Sequence, residues 1–423
     1  MIYDLPGKNS LRILTKLKKL TGDYFDPYPF VHSNKGQGCY FQDLDNNKFL
    51  DFSSQIASNP LGYNNNELKQ VIKKYSNIQP IKFAGQDFAV EEHLKLLEEL
   101  LSITPKNLNA AFLINSGAEA VENAVKICMR KNEKAKFGIC FNGSFHGRTL
   151  GALSLTQSKQ LYKKNYFMIP NKALSYSEKA LDELENLLKY YSSEKIAFLI
   201  LEPIQGEGGY NIASKEMIHG LRKITKDNKI PFISDEVQTG MGRSGKWWCI
   251  ENFNVIPDVM SAAKALQVGA TISNRSMFPE PGAISSTWGG GHKLDLALGC
   301  KTIQIIKKNK LLNNANKQGK YLRKRLQELN KFSNVRGLGL LNAFTLPNEK
   351  LRNDLVIECL KNGLVLLGCG HASIRLIPPY IIKEKEIDEA INIIEKSYNN
   401  VNRKGFKHEG KICGYMNCVR SNT

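Results

Sequence analysis

None of the nine cysteines forms a Cys-x-x-Cys pair. That argues against a disulfide framework or a zinc knuckle and for reduced, mostly buried thiols. Cys413 and Cys418 stand close together, at a spacing unlike the common metal motifs. No apolar run approaches the length of a membrane span. The opening Met1-Ile-Tyr-Asp-Leu-Pro-Gly lacks a basic segment followed by an apolar stretch, so no signal peptide is expected. Internal repeats and low-complexity segments are missing too. These absences describe a soluble, cytoplasmic protein whose 423 residues suit two domains.

Acidic side chains are also in short supply, with 40 Asp and Glu against 59 Lys and Arg, a formal charge of +19. The lysines are spread along the chain without interleaved aromatic platforms. They read as a solvated surface able to steer dianionic substrates, not as a nucleic-acid groove. Arg403 to Lys411 is a basic tail, and residues 401–423 are expected to be a loosely ordered extension.

What the chain does contain is an alternation. Cys39 to Phe52 reads as a hairpin turning at Asp45-Asn46-Asn47. Asp43 and Asp45 resemble half a calcium loop, but without its glycine and terminal glutamate a turn is the better reading. From about 105 to 275, short apolar runs alternate with helical patterns. The runs are Ala110–Ile114, Phe137–Phe141, Ala197–Leu201, Pro231–Ser234 and Asp258–Ala263. Ala120, Val121, Ala124, Val125 and Cys128 fall on one helical face. This pattern predicts an α/β fold with a mostly parallel sheet covered by helices on both sides. After about residue 296 the texture becomes that of a smaller α+β domain. It has a basic amphipathic helix carrying Leu322, Leu326 and Leu329, strand candidates at Leu340–Thr345 and Leu364–Leu367, and a closing helix around Ile387 to Tyr398. The expected division is an arm and hairpin over 1–50 joining the small domain, a large domain over 51–295, the small domain over 296–400, and the tail.

Lys264 lies 29 positions beyond Asp235 (264 − 235), each at the end of a strand-like run. A buried lysine can form a Schiff base with an aldehyde cofactor, and a buried carboxylate can keep a pyridine nitrogen protonated. Asn115-Ser116-Gly117-Ala118-Glu119 sits where a strand gives way to a helix, so its backbone N–H groups could hold a phosphate or simply cap the helix. Gly143-Ser-Phe145-His146-Gly-Arg148 follows the next strand. There Phe145 could stack on a cofactor ring and Arg148 could clamp a carboxylate, while Phe145 and His146 could equally be core packing. Glu202-Pro-Ile-Gln-Gly206-Glu207-Gly-Gly209 starts at a strand end and becomes a glycine loop. Gly240-Met-Gly242-Arg-Ser-Gly245 fits a dinucleotide fingerprint by letter, but Lys246-Trp247-Trp248 is a poor continuation for its helix.

Together these segments resemble the class III aminotransferases, pyridoxal phosphate (PLP) enzymes of fold type I with a seven-stranded-type sheet. The resemblance covers about residues 5 to 400. Ser53-Ser-Gln55-Ile56-Ala-Ser-Asn-Pro60-Leu-Gly62-Tyr63 and Leu367-Gly-Cys-Gly370 with Ser373-Ile-Arg375 are similar to 4-aminobutyrate aminotransferases. Ser286-Thr287-Trp288-Gly289-Gly290 and Gln205 to Gly209 are similar to L-lysine 6-aminotransferases. The resemblance implies that Lys264 carries the cofactor and shuttles the proton, and that Asp235 pairs with the ring nitrogen. It places Gln238 near the ring hydroxyl, Phe145 on the ring face, and Ser116, Gly117 and Ala118 on the phosphate. Thr287 would reach the phosphate of the neighbouring subunit's cofactor, which implies a homodimer with shared sites. Arg148 would bind the donor's remote carboxylate, Arg375 would take the second carboxylate of 2-oxoglutarate, and Glu207 would cover Arg375 while an omega-amino donor is bound. Ile56 would help to shape the pocket. The expected reaction moves the terminal amino group of 4-aminobutyrate or L-lysine to 2-oxoglutarate. Ornithine or another diamine-type donor, or a racemase on the same scaffold, are the alternatives. Two departures from the close branches are Ile377, where a further arginine is common, and the absence of a cysteine pair near Ser116, so no iron–sulfur cluster is expected.

Overall fold

The computed structural model describes residues 5–24, 27–284 and 288–408. Two compact units emerge, one formed by Met1–Asn65 with Asn314–Thr423 and the other by Asn66–Asn313. The expected boundaries near 50 and 295 thus fall inside these segments. The chain after the hairpin stays with the first unit because Phe52 N–H donates to Val365 O, Ile377 N–H to Phe52 O and Tyr380 N–H to Pro60 O.

In chain order the first unit begins with β1 (His32–Gln37), β2 (Tyr40–Asp43) and β3 (Lys48–Asp51). The Asn66–Asn313 unit holds β4 (Ala110–Ile114), β5 (Phe137–Phe141), β6 (Asn171–Leu174), β7 (Ile196–Leu201), β8 (Phe232–Asp235), β9 (Val259–Ala262) and β10 (Gly269–Ser273). The first unit resumes with β11 (Ser333–Leu338), β12 (Leu341–Thr345), β13 (Leu364–Val365), β14 (Leu367–Cys369) and β15 (Ser373–Leu376).

In the first unit, β2 and β3 form the expected hairpin, and β13 joins β3 in parallel. Asp43 is a turn residue. Its carboxylate accepts the N–H of Asp45 and of Asn47 and the side-chain amide of Asn47. Asp45 in turn accepts the N–H groups of Asn9 and Ser10 in the first turn of the helix Lys8–Leu20, where a negative charge is favoured. A second sheet runs β11-β12-β15-β14. Leu322 and Leu326 are buried on the helix Leu311–Glu328, as are Ile387 and Ile394 on the helix Glu384–Val401. The described end of the chain folds back, with His408 Nε2 3.3 Å from Asp354 Oδ1. The rest of the basic tail lies outside the described residues.

In the Asn66–Asn313 unit, seven strands run in the order β4-β10-β9-β8-β7-β5-β6. Pairings among β6, β5, β7, β8 and β9 are parallel, while β10 is antiparallel to both of its neighbours. β5, β7, β8 and β9 are buried at every position, as expected of strands covered on two faces. The helix Gly117–Arg130 packs its Val121, Ala124, Val125 and Cys128 face against this sheet, into the core formed by Cys140, Phe198, Ile200 and Ile233. No described helix is long and apolar enough to cross a membrane.

Candidate active site

The parallel register gathers the described candidate residues of this unit at one edge of the seven-stranded sheet. Asp235 ends β8 and pairs in register with Ser261 of β9, three residues before Lys264. Gly269, the first residue of β10, pairs with Ile114, the last of β4. The exits of β4, β5, β7, β8 and β9 therefore converge, as ligand sites in open α/β sheets require.

Asp235 is 4 % exposed and fully committed. Oδ1 accepts the Ser261 hydroxyl at 2.9 Å and the Val237 N–H at 3.0 Å, and Oδ2 lies 2.7 Å from His146 Nδ1. The imidazole is buried as well, and its Nε2 makes no hydrogen bond among the described residues. His146 therefore does more than fill the core: its single polar contact aims the carboxylate. Its own backbone is fixed by a bond from its N–H to Thr156 Oγ1 (2.9 Å), whose hydroxyl donates to Gly147 O (2.8 Å).

Lys264 follows β9 in a left-handed conformation, φ +49°, which an L-residue adopts only at a cost of roughly 1–3 kcal/mol. Such a bend is what lets the chain reverse into β10 within a few residues. It sets Lys264 at the sheet edge, half-buried.

The start of the Gly117 helix packs tightly into this corner. A methyl group at Gly117 would stand 2.7 Å from Val237 Cγ1 and 3.4 Å from Ala263 Cβ, and one at Gly269 would overlap Ser116 O. Gly147, at φ +128°, is held equally close to Ala118. First-turn N–H groups have no acceptor within their own helix, so Gly117 and Ala118 present donors here. The Ser116 hydroxyl caps Glu119 N and donates to Glu119 Oε2 (2.7 Å). Ser116 must leave that bond to serve a phosphate.

Phe145 lies one residue before His146, half-buried and edge-on to Tyr162 with centroids 6.2 Å apart. Arg148 is exposed at the rim, its guanidinium 5.7 Å from the same tyrosine ring. The Gln238 amide oxygen accepts the Tyr210 hydroxyl at 2.8 Å, and its amide lies beside Gly206. Glu207 is half-buried on that glycine loop. In the first unit, Arg375 is buried on β15 opposite Ala343 and Leu367. Ile56 sits in a left-handed run, Ser54 to Ala57 at φ +45° to +70°, and is 46 % exposed. Asp51 Oδ1 secures the start of that run through Ser53 and Ser54. Thr287 lies outside the described residues.

Two buried carboxylates went unassigned in the sequence. Glu202 accepts the N–H groups of Phe145 (2.8 Å) and Gly206 (2.9 Å). Glu236 accepts Cys249 N–H, Ile250 N–H and the Thr239 hydroxyl, folding the loop after β8. Burial pushes each carboxyl up to about 7. The Gly240–Gly245 stretch is part of that loop. Gly240 passes beneath the Trp248 ring, and only the short turn Cys249–Phe253 follows, so the dinucleotide pattern is coincidental.

A phosphorylated pyridine aldehyde fits these residues. A buried carboxylate aligned by histidine suits its protonated nitrogen, helix-start donors suit its phosphate, and a lysine stands at the adjoining strand end. The comparisons agree. The family model "Aminotransferase class-III" matches residues 25–397. An acetylornithine aminotransferase of Caldanaerobacter subterraneus subsp. tengcongensis is 34 % identical, covering 90 % of this chain and 98 % of its own. The human mitochondrial 4-aminobutyrate aminotransferase is 31 % identical over 93 % of this chain and 89 % of its own. Among solved structures, a lysine aminotransferase from M. tuberculosis superimposes with a TM-score of 0.86 at 25 % identity, covering 91 % of this chain and 98 % of that one.

Proposed function

Since the chain belongs to the class III aminotransferases, whose cofactor is PLP, we propose that it moves a terminal amino group from an omega-amino donor to 2-oxoglutarate. PLP supplies an electron sink for negative charge developing at the substrate carbon. The residues around it do the rest. Asp235, aimed by His146, keeps the ring nitrogen protonated. Lys264 Nζ carries the cofactor and then moves the proton at the substrate carbon. Gly117 and Ala118 N–H groups hold the phosphate, joined by Ser116 once its hydroxyl turns from Glu119. Phe145 covers a ring face and Gln238 faces the ring hydroxyl. Thr287 is assigned to the phosphate of a second subunit, which makes the working form a homodimer.

We assign the donor's remote carboxylate to Arg148, the acceptor's second carboxylate to Arg375, and the choice between the two substrates to Glu207, with Ile56 shaping the donor pocket. The observation that carries the chemistry is the buried His146–Asp235 pair, with Asp235 in register with Ser261 on the strand that leads to Lys264. For the donor, support comes from the names of relatives, which make 4-aminobutyrate, L-lysine and acetylornithine the donors to try first. The test is a panel of single half-reactions with these donors, ornithine and beta-alanine, on wild type and Arg148→Ala. One omega-amino donor should react far faster than the rest, and the variant should need about tenfold more of it, as for loss of a charge-assisted carboxylate bond. Equal, slow reaction of every donor, or an unchanged requirement in the variant, would refute the assignment.

A further inference from the structure

Glu202 leaves the buried strand β7 at the point where two glycine-bearing loops cross. One, Gly143 to Arg148, carries Phe145. The other, Gln205 to Gly209, carries Glu207. The loops approach so closely that a methyl group at Gly208 would overlap Gly143 O. Their outer parts are joined by Gln205, whose Nε2 donates to Asn142 O at 2.7 Å. Their inner parts are joined by Glu202: Oε1 receives Phe145 N–H and Oε2 receives Gly206 N–H. The side chain is 5 % exposed, so water is a poor substitute for either oxygen. Its main chain is fixed too, because the Tyr176 hydroxyl donates to Glu202 O at 2.6 Å.

We propose that Glu202 is a positioning residue whose two carboxylate oxygens lock the Phe145 loop to the Glu207 loop, fixing the aromatic cover of the cofactor and the substrate-selecting glutamate in one frame. Two acceptors on one rigid group set the spacing between the loops. A side chain with one acceptor oxygen cannot meet both N–H groups where they stand, each on a different carboxylate oxygen. The inference rests on the roles given above to Phe145 and Glu207.

The test uses the PLP-loaded enzyme and Glu202→Gln, which keeps the shape but turns one acceptor into a donor. In wild type, hydrogen exchange resolved by overlapping peptides should show slow Phe145 and Gly206 amides. In the variant at least one should exchange about tenfold faster or more, the loss of a buried bond, while β7 and β8 stay protected. The visible circular dichroism of the cofactor should fall, and the ratio of omega-amino donor to glutamate half-reaction rates should move. Fast exchange of both amides in wild type would overturn the proposal without any variant, which covers the case of a variant that fails to fold. Loosened loops with unchanged dichroism and rate ratio would also overturn it. A failure of the function reading is distinguishable, because it would leave wild type colourless and inert with every donor while the two amides stayed slow.

Discussion

His146 Nδ1 stands 2.7 Å from Asp235 Oδ2, and neither side chain is more than 4 % exposed. Such a contact orients the carboxylate more than it stabilises the fold, because it leaves Nε2 without a partner among the described residues. His146→Ala should therefore weaken PLP binding by about ten- to hundredfold, the range for a lost bond to a charged group, with the sheet intact by far-ultraviolet dichroism. Titration of apoenzyme with PLP measures this, and wild-type affinity in the variant would contradict it.

The buried Glu236 makes a prediction about pH. Its carboxyl is raised to about 7 by burial, above its ordinary value. The native state thus binds the proton more tightly than the unfolded chain. The stability this group contributes is full below about 4.5 and is lost as pH rises through about 7. Glu236→Gln removes that titration. The gap in melting temperature between wild type and variant should accordingly narrow, or shift against wild type, between pH 5 and 8. A gap independent of pH over that range would rule out the assignment. Thr239, Cys249 and Ile250 donate to this carboxylate and Asp235 opposes its charge, so all four belong to the same balance.

Ile56 tests strain in the other unit. A β-branched residue at φ +57° sits in a region asparagine tolerates far better. The side chain is 46 % exposed, so little packing is lost on replacement. Ile56→Asn should raise the stability of its unit by about 1 kcal/mol while altering donor preference. Urea unfolding with donor kinetics reads both effects. A less stable variant would mean that the turn is not strained.

The strands were legible where they were apolar and buried on both faces, as at Phe137–Phe141 and Ile196–Leu201. β10 was not, because Gly269-Ala-Thr-Ile-Ser273 is kept small by the helix above it. Thr271 Oγ1 donates to Ala120 O, and Gly269 has no room for a side chain. β6 is a short edge strand of mixed character, Asn171-Lys-Ala-Leu174. In the site, Lys264 and Asp235 stood out because their chemistry is rare at strand ends. His146 was ambiguous, since its partner lies 89 residues away. Glu202 and Glu236 were silent for a related reason: their partners are mainly backbone N–H groups, which carry no letter in a sequence.

The central claim is that the Lys264 amine carries the cofactor opposite a carboxylate-held ring nitrogen. Reducing the PLP-loaded enzyme with borohydride and mapping its peptides measures this directly. One pyridoxyl-phosphate mass addition is expected, on the peptide containing Ser261-Ala-Ala-Lys264. Modification of a different lysine, or an unmodified map from PLP-saturated enzyme, would contradict it.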